Sequence, residues 1–281
     1  MTYQDALNKA KEKIDSLDAE LILGFIQNQT REKIFTNLNS DLSLKKFQNF
    51  YELVEKRRKG FPLAYITGKK EFWKSEFEVN NSVLIPRPET ELIVEEVLKE
   101  ELNKKIILEL GTGSGNISIS IKKENPGVII YATDISMGAL MTAKKNAKFN
   151  EADRIIFMNH DWKREWLFPN LDIIISNPPY VDKKSLDKDE DGVWFEPEEA
   201  LFSKKSGLKD IMIILQKSII FLKKGGKLFL EHAPFQAKKI ASISKKVGYK
   251  ELVQRKDLNK DIRVSIPVSY THLTLPTKVT V

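Results

Sequence analysis

Asn177-Pro178-Pro179-Tyr180 follows directly on the apolar run Leu171-Asp172-Ile173-Ile174-Ile175-Ser176. That run has the length and composition of a buried strand. Two prolines placed just after it end the hydrogen-bond ladder and stiffen the backbone. A rigid corner at the C-terminal end of a parallel strand lies where open α/β sheets bind ligands. Its groups suit one task, holding a planar –NH2 group. The Asn177 side-chain oxygen can accept one hydrogen. The Pro178 carbonyl, which lacks a strand partner, can accept the other, and the Tyr180 ring can lie against the flat face. Asn-Pro alone would be read as an ordinary strand-ending turn; all four residues after Asp-Ile-Ile-Ile favour the chemical reading.

A second constellation is Glu109-Leu110-Gly111-Thr112-Gly113-Ser114-Gly115-Asn116. Glycines at such a strand-to-helix loop let the backbone approach a ligand and permit positive φ. The spacing is not Gly-x-Gly-x-x-Gly, and the lysine of a phosphate-binding P-loop is missing. The next strand ends in Asp134, about 20 residues on, where an acid holds ribose hydroxyls in nucleotide folds. A nucleotide cofactor without a pyrophosphate fits S-adenosylmethionine. After the third strand, Asn159-His160-Asp161-Trp162 supplies an acid and an indole that could hydrogen-bond and stack on adenine. The plainer alternatives are a helix N-cap for Asp134, a surface turn for Asp161 and core packing for Trp162. No metal site is expected.

Other polar residues invite weaker readings. Arg87, in Ile85-Pro86-Arg87-Pro88-Glu89-Thr90-Glu91, is expected either to close over the cofactor or to pair with Glu89 or Glu91. Glu196, in Phe195-Glu196-Pro197, is expected to orient the Asn-Pro-Pro-Tyr loop, the plainer alternative being a solvated acid. The run Asp187-Lys188-Asp189-Glu190-Asp191 reads as a solvated loop rather than a metal site. Glu231 is expected to end a core strand without a direct catalytic part.

These groups must be positioned by the elements around them. Residues 1 to about 60 show helical spacing, as in Ala6, Ala10, Ile14 and Leu17. Asp18, Thr30 and Ser43 are the expected N-caps, and the basic last turn before Gly60 suits a helix end. Glu71 to Val79 reads as a β-hairpin. From residue 105 strand and helix alternate: strands at 106–110, 128–134, 155–158, 171–176 and 227–231, then two near 249–256 and 262–266. Helices are expected at 116–123, 136–149, 207–222 and 236–247. This alternation predicts an α/β fold with a mostly parallel sheet covered by helices on both faces. The expected division is a helical domain at 1–70, a hairpin linker at 71–84 and a catalytic domain at 85–266.

The chain has 281 residues, 41% hydrophobic and 30% charged, with a formal net charge of +7. It contains no cysteine and three histidines, which excludes disulfides, thiolate metal sites and cysteine nucleophiles. No apolar run approaches the roughly 20 residues that span a bilayer, and the N-terminus lacks the regions of a signal peptide. Cytoplasm is the expected compartment. The lysines are spread along the chain, so the charge alone carries little weight as a nucleic-acid signal. From Pro267 to Thr277 the sequence resembles the translated read-through of a transposase sequencing adapter. The core of that adapter reads GTC TCT TAT ACA CAT CTG, and Val268 to Leu273 agree with it codon by codon. Residues 267–281 are therefore expected to be artefactual and His272 not functional.

Taken together these motifs resemble the release-factor glutamine methyltransferase family (PrmC/HemK). Its marks here are Ala64-Tyr65-Ile66-Thr67-Gly68, Glu71-Phe72-Trp73, the Pro86 to Glu91 segment and the Glu109 to Gly115 loop. Asn177 to Tyr180, Phe195-Glu196-Pro197 and Glu231-His232 with Gln236 complete it. Asn-Pro-Pro-Tyr is shared with DNA adenine methyltransferases; the Pro-Arg-Pro-Glu-Thr-Glu and Phe-Glu-Pro elements are more specific. The resemblance implies a Rossmann-like S-adenosylmethionine-dependent fold with a small N-terminal helical domain. It implies methylation of the glutamine amide nitrogen in the Gly-Gly-Gln motif of class 1 peptide chain release factors. Gly111, Thr112, Gly113, Ser114, Gly115, Asp134, Asp161, Trp162 and Asn177 would contact the cofactor. Asn177, Pro178, Pro179 and Tyr180 would hold the substrate, with Asn177, Pro178 and Tyr180 catalytic. The helical domain would help dock the release factor, with neither DNA nor membrane contact and a monomeric state expected. The rival readings are glutamine methylation of another protein such as a ribosomal protein, DNA adenine N6-methylation, and a cofactor-binding module without catalysis.

Overall fold

The computed structural model describes residues 1–184 and 192–270. The chain forms two compact units. The first comprises residues 1–69 and, among the described residues, 192–195; the second comprises 70–184 and 196–270. The Asp187 to Asp191 run and His272 lie outside the described residues.

The first unit is helical: α1 (Tyr3–Lys11), α2 (Ser16–Gln27), α3 (Arg31–Thr36), α4 (Leu44–Arg58) and α5 (Leu63–Thr67). Short polar residues start these helices, because a side-chain oxygen can take an amide the helix leaves unpaired. Thr2, Asp15, Thr30 and Ser43 cap α1 to α4 in turn. The cap of α2 is thus Asp15 and not Asp18. The helix begins three residues earlier than its apolar spacing suggests, and Asp18 instead takes an ion pair from Arg57 at 2.5 Å. Ala6, Leu7, Ala10, Ile22, Leu23, Phe50 and Val54 make the core.

The second unit begins at Lys70, one residue into β1 (Lys69–Phe72). β1 and β2 (Ser75–Glu78) pair as a two-stranded sheet. Helix α6 (Glu91–Leu98) follows. The alternation is then β3 (Ile106–Leu110), α7 (Asn116–Glu124), β4 (Ile129–Asp134), α8 (Met137–Phe149), β5 (Ile155–Asn159) and β6 (Leu171–Ser176). The short α9 (Glu198–Leu201), α10 (Lys209–Phe221), β7 (Leu222–Glu231), α11 (Ala237–Val247), β8 (Glu251–Lys256) and β9 (Ile262–Val268) complete it. The seven-stranded sheet has the order β5-β4-β3-β6-β7-β9-β8, parallel from β5 to β7, with β9 antiparallel to both of its neighbours. Strand β9 continues past Ile266: Pro267 pairs with Leu252, and Val268 with Glu251 and Lys227. Both neighbouring strands offer open backbone groups that far, and valine is a good strand former.

Side-chain alternation builds two cores, one on each face of the sheet. Ile107, Ile173, Ile175 and Phe229 point to one face with Val94, Ile119 and Ala147 from α6, α7 and α8. Leu108, Ile174, Leu228 and Leu230 point to the other with Ile214 and Ile240 from α10 and α11. No helix among the described residues is long and apolar enough to cross a membrane.

One buried amide ties the two-stranded sheet to the ligand-facing edge. Asn146 on α8 accepts from the Glu78 amide at 2.7 Å and donates to the carbonyls of Glu78 and Ser114, both at 2.9 Å. Asn146→Ala would leave the buried Ser114 carbonyl unpaired, costing on the order of 1–3 kcal/mol, and would remove the partner of the two partly exposed Glu78 groups. We expect it to lower unfolding free energy by roughly 2 kcal/mol. Denaturant titration measures this, and a midpoint equal to wild type would contradict it.

Candidate active site

Strand order reverses beside β3: β4 and β5 lie on one side, β6 and β7 on the other. A crevice opens at the C-terminal strand ends of such a point. A cavity occupies it. Its wall takes Glu109, Gly111, Thr112, Gly113 and Ser114 from β3 and its loop, and Asp134 from the end of β4. Trp162, Asn177, Pro179, Arg87 and Thr90 close it. Gly115, Asp161, Pro178 and Tyr180 are not part of that wall.

The glycine loop is held open by its backbone. Gly111, Gly113 and Gly115 have φ of 76°, 54° and 82°, values that L side chains avoid. A Cβ on Gly113 would meet nothing within 4 Å, so its free side faces the cavity. A Cβ on Gly115 would lie 2.9 Å from Ile119 Cδ1. That glycine packs the loop onto α7 instead. The Gly111 and Thr112 amides donate to the Thr133 carbonyl at 2.9 and 2.8 Å. Asp134 Oδ2 accepts from the Gly113 amide at 2.9 Å and Oδ1 from the Ser136 amide at 2.9 Å. Ser136, not Asp134, caps α8, accepting from Ala139 at 3.2 Å. Burial raises the Asp134 pKa above its ordinary value, although these amides act against the rise. A carboxylate has about four acceptor positions, so Asp134 can still take hydroxyl donors from a ligand.

Glu109 had no role assigned from sequence, where it read as part of a strand. Strand alternation carries it to the Ile107 face, where it is 1% exposed. Its Oε2 accepts from the hydroxyls of Ser118 and of Thr112, the latter at 2.6 Å. Its Oε1 is buried and accepts no hydrogen bond. Burial pushes its pKa up to about 7. An unpartnered carboxylate oxygen on a cavity wall calls for a cationic or N–H donor from a ligand.

Trp162 is buried and fixed. Its Nε1 donates to Asp210 Oδ1 at 3.1 Å, and its ring lies 3.2 Å from where a Gly111 Cβ would stand. The indole therefore presents its carbon edge and face to the loop. Asp161 turns away: its Oδ1 accepts from the Lys163 amide at 2.9 Å and its carbonyl from Arg164, a local turn.

At the corner after β6, Ser176 Oγ donates to the Leu110 carbonyl at 2.9 Å, tying the two central strand ends together. Asn177 Nδ2 donates to Thr90 Oγ1 at 3.2 Å. Among the described residues nothing donates to Asn177 Oδ1 or to the Pro178 carbonyl. Tyr180 packs its ring against the Leu230 face of the sheet, and its hydroxyl donates to Glu231 Oε1 at 3.1 Å. Its backbone is clamped, with Gln236 Nε2 donating to the Tyr180 carbonyl at 3.0 Å.

Arg87 pairs with neither Glu89 nor Glu91. Its guanidinium donates to Glu196 Oε1, while Glu196 Oε2 accepts from the Ile85 amide at 2.9 Å. Glu196 therefore orients the Pro86 loop and not the Asn-Pro-Pro-Tyr corner. Its carboxylate is buried and the two donors that satisfy it both belong to that loop. Glu91 accepts instead from the Trp73 amide at 2.7 Å.

Comparison with known proteins places the chain in a family. The family model described as PrmC N-terminal domain matches residues 2–68, and that described as Methyltransferase small domain matches residues 88–192. A release factor glutamine methyltransferase of Coxiella burnetii is 39% identical, over 88% of this chain and 89% of its own length. A bifunctional methyltransferase of Rickettsia typhi is 38% identical over 87% of this chain, which spans only 52% of that relative. A methyltransferase structure from Pyrococcus furiosus shares the fold, with a TM-score of 0.55 at 18% identity, over 80% of this chain and 98% of that one.

The raised pKa of Glu109 sets a sign for stability. Between its ordinary value of 4.5 and its folded value of about 7, the folded protein holds a proton that the unfolded chain has lost. Stability of the ligand-free protein then falls as pH rises through that window. Asp134 and Glu231, also raised, act the same way. Glu109→Gln is expected to make the fall in melting temperature between about pH 5 and about pH 8 shallower. Equal slopes for the two proteins in calorimetry would refute the assignment.

Proposed function

The chain belongs to the release factor glutamine methyltransferase family, and from that premise we propose that it methylates the glutamine side-chain nitrogen in the Gly-Gly-Gln motif of peptide chain release factors. The observation that carries the reading is the Asn-Pro-Pro-Tyr corner. It sets two unclaimed acceptors, Asn177 Oδ1 and the Pro178 carbonyl, beside a cavity that suits S-adenosylmethionine.

The residues present fit that cofactor. Asp134 has acceptor capacity left for ribose hydroxyls, as an acid at this strand end has in nucleotide folds. The buried, unpaired Oε1 of Glu109 suits the ammonium of the methionyl part. Thr112, Gly113 and Ser114 bring backbone close to the ligand, and Trp162 offers an apolar surface behind Gly111. Gly115 supports the loop by packing against α7, and Asp161 stands back in its turn. When bound, S-adenosylmethionine supplies a methyl group on a sulfonium, which leaves as a neutral thioether.

The obstacle on the protein side is the amide nitrogen, whose lone pair is delocalised into its carbonyl. Asn177 Oδ1 accepts one of its N–H bonds and the Pro178 carbonyl the other. The lone pair is then aimed into the cavity. Orientation of this kind lowers the barrier by several kcal/mol. As the C–N bond forms, the nitrogen gains positive charge and its N–H groups become more acidic. The two acceptors therefore bind the transition state more strongly than the ground state. The proton leaves after methyl transfer, so no dedicated general base is needed. Pro179 walls the cavity, and Tyr180 fixes the corner through its hydroxyl. The helical first unit is the docking surface for the release factor. The enzyme works in the cytoplasm, as a monomer, without binding DNA.

Asn177→Ala is expected to lower turnover about 100-fold or more, with a much smaller loss of S-adenosylmethionine affinity. Turnover is read by peptide mass spectrometry on a purified release factor, with unmethylated DNA as a parallel substrate. A methyl on the Gly-Gly-Gln glutamine is the expected product in the wild type. Near-normal turnover in the variant would remove Asn177 from this role, and methylated adenine beside an unmodified release factor would overturn the substrate.

A further inference from the structure

Gln236 is among the residues that carry the family resemblance, yet no step of the methyl transfer above uses it. It closes the short 3-10 turn Pro234–Gln236 between β7 and α11 and is 1% exposed. Its side chain makes three hydrogen bonds, and each has only one possible direction. A main-chain N–H only donates, and a carbonyl only accepts. Oε1 therefore faces the Ala233 amide, from which it accepts at 3.0 Å. Nε2 faces two carbonyls and donates to those of Tyr180 and Ser206, both at 3.0 Å. A flipped amide would set oxygen against both carbonyls, so the side chain has a single working orientation.

The Asn-Pro-Pro-Tyr corner hangs between two anchors. Upstream, Ser176 pairs with Leu110 and Leu230 in the sheet, and its hydroxyl donates to the Leu110 carbonyl. Downstream, the Tyr180 carbonyl accepts from Gln236 and, among the described residues, from no other donor. Val181 follows, its amide donating to the Leu201 carbonyl and its carbonyl accepting from the Ser203 amide, both at 3.0 Å. Gly207 closes the space around the clamp. At its φ of 77°, a Cβ would stand 1.8 Å from the Tyr180 oxygen and 2.5 Å from Gln236 Nε2. Only Asn177, Pro178 and Pro179 lie between Ser176 and Tyr180, and the two rings lock φ at about −65°. The Pro178 carbonyl therefore has little freedom while both anchors hold. With the downstream anchor released, the remaining torsions can swing it, while Asn177 stays next to the fixed Ser176.

We propose that Gln236 is a positioning residue for methyl transfer: by holding the Tyr180 carbonyl it fixes the downstream end of the corner, and with it the place of the Pro178 carbonyl. This rests on the reading that Asn177 and Pro178 accept the two N–H bonds of a substrate amide. Gln236 touches neither substrate nor cofactor in this scheme. It is also absent from the cavity wall. Its loss should therefore leave cofactor binding intact and act on the orientation of the reacting nitrogen alone.

The test compares the full-length protein with Gln236→Met, which keeps the size and removes all three hydrogen bonds. Cofactor affinity and binding stoichiometry are read by calorimetry with S-adenosylmethionine. Methyl transfer to a purified, unmethylated release factor is then followed, with kcat counted per cofactor-binding molecule. That count removes any unfolded fraction from kcat. Gln236→Met is expected to keep its cofactor affinity and its KM for the release factor within about threefold and to lose roughly 10- to 100-fold in kcat, as misplacement by about 1 Å does. Gln236→Glu keeps the length and the acceptor for Ala233 but sets an oxygen against both carbonyls, and should lose kcat at least as far. Wild-type kcat in Gln236→Met, with only a lower melting temperature, overturns the proposal and leaves Gln236 a structural residue. Should Gln236→Met fail to bind cofactor, Gln236→Glu decides, and loss of cofactor binding in both overturns the proposal as well. Asn177→Ala separates the two levels. If it is inactive while Gln236→Met is normal, only the positioning role fails; if it stays active, the amide grip fails with it.

Discussion

The hydrogen bond from the Gly113 amide to Asp134 joins the loop after β3 to the end of β4. It does so beside the point where strand order reverses. The loop has three glycines at positive φ and no ladder of its own beyond Leu110. Left alone it would sample many conformations, since glycine loses more freedom on ordering than any other residue. The Thr133 carbonyl takes two of its amides and Asp134 a third, so β4 imposes the shape. The cavity, the close approach of Trp162 to Gly111 and the start of α7 at Asn116 follow from that imposed shape. Burial of Asp134 is the cost, and its raised pKa is the sign that the cost is not fully offset by the amides.

The same logic runs across the sheet. Positions 107 and 229 are core residues because the strand period turns them to the α7 face. Two residues on, the period delivers Glu109 and Glu231 to that face, where water does not reach. Each carboxyl keeps one oxygen without a partner. A hydrophobic pair at these positions would give a more stable protein, because an unpaired buried acceptor costs about 1–3 kcal/mol. Sites of this kind are stable enough because the rest of the sheet, filled on both faces, carries the fold. The strain sits at strand ends, where ligands arrive.

Much of this was legible in the sequence, and the failures share a cause. The apolar runs at 106–110 and 171–176 and the glycine loop could be placed because each signal is local. Thr30 and Ser43 were readable as caps for the same reason. Asp18 was misread because its partner, Arg57, is 39 residues away, while Asp15 supplied the nearer cap. Arg87 was matched to Glu89 and Glu91 because those acids are adjacent in sequence; Glu196, which holds it, is 109 residues on. Glu109, Thr90 and Glu231 sit in segments that carry the family resemblance, but nothing local pointed to their partners. Their importance arises from meeting partners across strands, and only a charged residue in an apolar strand hinted at it.

The corner itself is chemically broad. Two acceptors beside a cavity grip any planar –NH2, whether a carboxamide or an aminopurine, since both present two in-plane N–H bonds. Such a grip would choose the atom that is methylated and would say little about the molecule that carries it. Selectivity for a glutamine must come from what reaches the corner and what excludes larger rings. The wall offers Pro179, Pro197 and Ala200, with Glu199 among them. Reading a base needs donors and acceptors set against its Watson–Crick edge. A corner that fits more than one kind of –NH2 leaves recognition of the molecule to surfaces away from that nitrogen.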